Sequence, residues 1–106
     1  MENTIRIDCD LPGHDGEFIE FRRSGWTFGI LREWETAQSS TKIAEIVGRM
    51  IVSWKLTNAD TGKDIPFDKD NSEACLDDLD PMTASWVVGV FRLAYHQAAL
   101  PDPKVS

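Results

Sequence analysis

Residues 39–57 read Ser39-Ser40-Thr41-Lys42-Ile43-Ala44-Glu45-Ile46-Val47-Gly48-Arg49-Met50-Ile51-Val52-Ser53-Trp54-Lys55-Leu56-Thr57, and their apolar period changes partway along. Ile43, Ile46, Val47, Met50 and Ile51 recur at spacings of mostly three and four, which places side chains on one face of a helix. Ser39, Ser40 and Thr41 offer hydroxyls to the free N–H groups of its first turn. From Ile51 to Thr57 the period falls to two, as Val52, Trp54 and Leu56 alternate with Ile51, Ser53, Lys55 and Thr57. The sequence therefore predicts a helix that passes directly into a strand.

Upstream, Ile5 and Ile7 alternate with polar neighbours, and Ile19 and Phe21 alternate with Phe18, Glu20 and Arg22. Between these two strands, residues 11–16 (Leu-Pro-Gly-His-Asp-Gly) concentrate turn formers, so the pair is expected to return as an antiparallel hairpin. From Ser24 and Gly25 onward, Trp26, Ile30, Leu31 and Trp34 fit a short amphipathic helix. Downstream, residues 58–63 form a turn by composition, and Ile65 and Phe67 flank Pro66 in a second short pairing segment. Asp80-Pro81 is a helix start, because the Asp side chain caps free amides and Pro is preset for the first turn. Met82, Trp86, Val87, Val90, Phe91 and Ala94 continue that helix to about Leu100, where Pro101 and Pro103 stop it and a frayed tail is expected. The expected fold is α+β, with small antiparallel hairpins packed with three helices in the order β-β-α-α-β-(β)-α. Residues 1–106 make one domain, and Ile46, Val47, Met50, Trp86, Val90 and Phe91 are its predicted helical core.

The 106 residues are 42% hydrophobic and 27% charged, ordinary values for one globular core. A chain this short has little apolar surface to spare for both a core and a deep enclosed site, which favours a binder over an enzyme. The formal net charge of -7 disfavours electrostatic capture of nucleic acid or of an anionic membrane, and favours basic partners. No secretory head precedes the first strand, and no apolar run approaches a membrane span, so a cytoplasmic location is expected. Between residues 60 and 80, eight acids (Asp60, Asp64, Asp68, Asp70, Glu73, Asp77, Asp78, Asp80) stand against Lys63 and Lys69, leaving -6 in that window. Carboxylates at this density repel and are costly to bury, so an exposed acidic loop is expected there.

Asp68, Asp70 and Ser72 begin with calcium-loop spacing, but Glu73 stands where a glycine is needed and Leu79 where a bidentate Glu should close the shell. Cys9, His14, Cys75 and His96 include no close-spaced pair that would hold zinc. Neither a metal nor another cofactor is expected. The two cysteines read as reduced thiols, with a single Cys9–Cys75 bridge as the alternative. His14 reads as a solvated turn residue and His96 as a residue near a helix C-terminus. No nucleophile elbow or phosphate loop surrounds any glycine, and the Gly13/Gly16 spacing fits a plain hairpin turn. No catalytic residues are therefore assigned. Four tryptophans are many for this length, so most are expected in the core and one or two at an interface. The candidate interaction residues are Trp26, Trp34 and Trp54, together with Asp68, Asp70, Asp77 and Asp78.

The run Ile51-Val52-Ser53-Trp54-Lys55-Leu56-Thr57, the turn Asn58-Ala59-Asp60-Thr61-Gly62-Lys63, then Asp64-Ile65-Pro66, an acidic spacer and Leu79-Asp80-Pro81 opening an apolar helix, resembles small tail-assembly proteins of long-tailed bacteriophages. The resemblance covers residues 45–95. It implies a tail assembly chaperone in the cytoplasm of a bacterial host cell, coating a helical client such as the tape-measure protein until tail-tube subunits polymerise. It implies no catalytic residues. The alternative is a small acidic inhibitor that mimics nucleic acid toward a host defence protein. Whether the chain self-associates is left open. Since no ligand cluster is legible, EDTA is expected to leave the thermal midpoint unchanged in a melt followed by circular dichroism. A loss of several degrees would reveal a structural metal.

Overall fold

The computed structural model describes residues 3–100. Four antiparallel strands, β1 (Thr4–Asp8), β2 (Phe18–Arg22), β3 (Ile51–Thr57) and β4 (Asp64–Ile65), form one sheet in the order β1-β2-β3-β4. The fold is α+β, as the periodicities predict. Helices α1 (Phe28–Thr36) and α2 (Ser40–Met50) connect β2 to β3, and α3 (Ser72–Asp77) and α4 (Pro81–Ala98) follow the sheet. No helix among the described residues is long and apolar enough to cross a membrane. The frayed tail expected after residue 100 lies outside the described residues.

The β1–β2 register pairs Ile5 with Phe21 and Ile7 with Ile19. Ile5, Ile19 and Phe21 are buried in the shared core, with Ile7 packed against it. The alternate positions carry Thr4, Arg6, Glu20 and Arg22, which keep that face polar. There the Thr4 hydroxyl donates to Glu20 Oε2 at 2.6 Å, and the Arg6 guanidinium lies 3.9 Å from the centre of the Phe18 ring.

Helix α2 runs straight into β3, with the Ser39 side chain capping the Lys42 N–H. Strand β3 departs from strict alternation. Glu20 pairs with Ser53 but Phe21 pairs with Ile51, so Val52 is an extra residue in a bulge. The bulge resets the phase, which lets Ile51 join Trp54 and Leu56 in the core while Val52 is only half-buried.

Helix α1 starts later than its period suggests. Gly25 has φ +87, a left-handed conformation that a helix cannot contain, and Thr27 then caps the Ile30 N–H with its side chain. Trp26 therefore precedes the helix and lies against Phe21, Phe91 and Tyr95.

The acidic window is not one exposed loop. It contains β4, a 3-10 turn at Lys69–Asn71 and α3, held by the buried Cys75 and Leu79. Gly48 of α2 makes this docking feasible, because a Cβ there would lie 2.8 Å from the Ser72 hydroxyl. Most of the carboxylates remain at the surface while the backbone between them is ordered, and Asp80 is buried.

Asp80 caps α4 with Pro81 in the first turn, as expected. The buried stripe of α4 is Thr83, Val87, Phe91 and Ala94. Two members of the predicted core, Trp86 and Val90, are half-buried at its edge, and Met82 is 53% exposed. Hydropathy alone would not choose Thr83 for the inside, where its hydroxyl meets the buried His14. Ile46, Val47, Met50 and Phe91 are buried as predicted. Phe91→Ala should therefore lower unfolding free energy by roughly 3–5 kcal/mol in urea titration, whereas Trp86→Ala should cost clearly less.

Candidate functional site

The tryptophans singled out from the sequence are packing residues first. Trp54 is buried, its indole N–H donates to the Ile65 carbonyl at 2.7 Å, and its ring packs on Phe67 with centroids 4.9 Å apart. Trp26 and Trp34 are half-buried and flank Phe91 at 5.1 and 5.4 Å. The Trp26 indole N–H also donates to the Arg22 carbonyl. Among the described residues, the large apolar side chains that face solvent are Phe28, Met82, Leu93 and Leu100. Helical periodicity places Met82 on the apolar repeat of α4, outside the predicted core, and Phe28, Leu93 and Leu100 carry no distinguishing sequence signal.

Asp68, Asp70, Asp77 and Asp78 are all exposed, as acids in solvent should be. Asp68 also has a local structural task, since its carboxylate accepts from the Asp70 N–H and the Asn71 amide, each at 3.0 Å. Those bonds hold its carboxyl below the ordinary carboxylate range. Asp77 stands apart from the other three because it borders a groove.

Helices α2, α3 and α4 leave between them a cavity of about 230 Å³, with Ile43 and Val47 on α2, Leu76 on α3, and Ala84 and Val88 on α4 among its lining. Ala44 and Ala84 are short side chains on facing helices, so the groove stays open where larger residues would fill it. A smaller recess of about 160 Å³ adjoins it and is bordered by Glu73 and Asp77. An apolar trough thus passes into a polar recess that carries carboxylates, and no described basic side chain is in either lining.

A buried polar seam forms the other notable constellation. His14, expected in solvent, is 2% exposed. Its Nδ1 pairs with Glu17 Oε1 at 2.8 Å, and its Nε2 lies 3.3 Å from the Thr83 hydroxyl. Glu17 also accepts from the Thr57 N–H at 2.7 Å and the Thr57 hydroxyl at 2.9 Å. Hydroxyl, imidazole and carboxylate thus stand in the order of a nucleophilic triad. Thr83 is fully buried, however, so its hydroxyl is closed off from solvent in this structure. The arrangement binds the β1–β2 loop to the end of β3 and the start of α4. Burial, the largest single influence, raises the Glu17 carboxyl, but the bonds from His14 and Thr57 outweigh it and leave the group below its ordinary range.

Asp80 extends the seam. Its Oδ1 accepts from the Ala59 N–H at 2.8 Å and its Oδ2 from the Thr83 N–H at 3.1 Å. Burial again works against the charged form, yet these bonds and the Thr83 hydroxyl hold the Asp80 carboxyl at about 2.

Cys9 and Cys75 are free thiols. Burial pushes the Cys9 thiol above its ordinary value, which disfavours the reactive thiolate. Among the described residues, no group of three or more His, Cys, Asp or Glu is placed to hold a metal ion. Comparison with protein-family models, with curated proteins and with solved structures found no match for this chain.

Because the Asp80 carboxyl is near 2 when folded and 3.8 when free, its contribution is complete above the higher value and is lost as pH falls between the two. Acidification through that window should remove about 2 kcal/mol of stability through Asp80 alone, and Glu17 acts in the same direction. Asp80→Asn should be less stable at neutral pH and lose less on acidification, as measured by urea midpoints across the acid range.

Proposed function

We propose that this chain is a protein-binding module that seats the apolar ridge of an amphipathic client helix in the groove between α2, α3 and α4. The client is proposed to be a long helical protein of the tape-measure kind, and the chain a tail assembly chaperone-like protein of a bacteriophage or prophage. The groove carries the reading: its lining is apolar and short side chains keep it open, which suits the side chains projecting from one face of a helix. The Glu73 and Asp77 rim adds a preference for lysines or arginines flanking that face. The resemblance of residues 45–95 to tail-assembly proteins supports the choice of client, and this part of the chain supplies the α3 and α4 walls of the groove.

Affinity in such a complex comes from the apolar groove and long-range attraction from the rim. Val88→Asp places a charge in the lining and should speed dissociation from a lysine-flanked amphipathic helical peptide by about tenfold or more. Glu73→Gln combined with Asp77→Asn should slow association and flatten its dependence on salt, with dissociation nearly unchanged. Both rates are read by surface plasmon resonance. Photocrosslinking from position 84 in a phage-producing lysate, followed by mass spectrometry, identifies the client. A long helical tail protein is the expected product. A nuclease subunit whose binding survives Val88→Asp but is abolished by the acid-to-amide changes would replace this reading with nucleic-acid mimicry.

A further inference from the structure

A second cavity, of about 200 Å³, lies where the segment before α1 meets the last turn of α4, away from the groove. Its lining has an electrical character unlike that of the chain as a whole. Among the described residues that line it, Arg23 is the one charged side chain and none is a carboxylate, and Thr27 and Phe28 bring the start of α1 to its wall. The first N–H groups of a helix lack intrahelical acceptors and carry partial positive charge. The neighbouring Arg22 guanidinium lies across Gly25, 3.4 Å from where a Cβ would stand. Trp26, Phe28 and Tyr95 are its aromatic lining residues, with Trp26 and Tyr95 held edge to face at 6.1 Å and Phe28 65% exposed.

Arg23 is under-used by the protein itself. Among the described residues, its one hydrogen bond runs from Nη1 to the Gln97 carbonyl at 3.5 Å, the limit of such a contact. Its Nε is buried without an acceptor. Its Nη2 makes no hydrogen bond among the described residues, and a guanidinium with that donor to spare, lining one cavity with the start of α1 and three aromatic residues, is suited to a flat anion. The other wall narrows the class. Ala98 and Ala99 bring the C-terminal end of α4, whose partial negative charge disfavours a doubly charged phosphate. At about 200 Å³ the cavity is also smaller than the usual range for drug-sized ligands, so it suits one ring.

We propose that this cavity is a binding site for a small aromatic monocarboxylate, whose carboxylate meets Arg23 and the first turn of α1 and whose ring lies against Trp26, Phe28 and Tyr95. Arg23 supplies charge and direction. The three aromatic side chains select a flat apolar body, and covering Phe28 removes exposed apolar surface from water.

The test is a titration of the full chain with benzoate, followed by two-dimensional NMR. Saturable shifts are expected at the Arg23 side-chain N–H, the Gly25 amide and the Trp26 indole, and benzamide, of the same shape without the charge, should bind more weakly. Arg23→Gln should reduce benzoate affinity by about tenfold or more, the loss expected for a hydrogen bond to a charged group. Phe28→Ala should weaken benzoate binding as well; because Phe28 is largely exposed, this variant should fold even if Arg23→Gln does not. Equal binding of benzamide and benzoate would overturn the role of charge, and phosphate binding as tightly as benzoate would overturn the role of the ring. Absence of saturation, or shifts confined to Ala44 and Val88, would overturn the site itself.

Discussion

The hydrogen bonds that converge on Glu17 and Asp80 join parts of the chain that apolar packing alone would leave free to slide. Glu17 accepts from His14 in its own loop and from Thr57 at the end of β3, while His14 meets Thr83 in the first turn of α4. Asp80 ties the same turn of α4 to Ala59. Buried acceptors left without donors would cost more than a typical hydrogen bond contributes, so the seam fixes one arrangement of the strand ends against α4. Once the start of α4 is fixed, Val87, Phe91 and Ala94 are committed to the sheet, and Phe91 becomes the surface on which Trp26 and Trp34 pack.

This placement of α4 gives one wall each to the apolar groove and to the cavity beside Arg23. Near its start, Ala84 and Val88 face α2 and α3 across an apolar trough. At its end, Tyr95, Ala98 and Ala99 meet the turn that leads into α1. The two sites differ in charge because different elements border them. Acids of α3 reach the first, whereas the second lies beside Arg23, between the start of α1 and the end of α4. A chain of net charge -7 thus has a cavity whose one charged lining residue among those described is an arginine, a feature that total charge conceals.

Ordering of the acidic segment follows from the same economy of small contacts. Gly48 admits the Ser72 side chain to the surface of α2, Cys75 and Leu79 anchor the segment from below, and Asp68 closes a local turn with its own carboxylate. Repulsion among the remaining acids is relieved by solvent rather than by disorder. Acidic density indicated exposed side chains, and it did not require an irregular backbone.

Several features were legible in the sequence because their causes are local. The change of period between Met50 and Ile51, the caps at Ser39 and Asp80, and the alternation in β1 and β2 each depend on residues within a few positions of one another. The later start of α1 was hidden, since Trp26 fits the helical period and the left-handed Gly25 gives no hydropathy signal. The bulge at Val52 was hidden too, because the register of β3 is set by its pairing with β2, across the intervening α1 and α2. His14 looked like a turn residue because Thr83, the partner that accompanies its burial, is 69 positions away. The sequence by itself determined the α+β class, the identity of most elements and the acidic surface, all of which follow from short-range periodicity, capping and composition. The tertiary structure alone decided which face of α4 is buried, which tryptophans pack, and where the groove and the arginine-lined cavity open, because those outcomes depend on contacts between residues far apart in the chain.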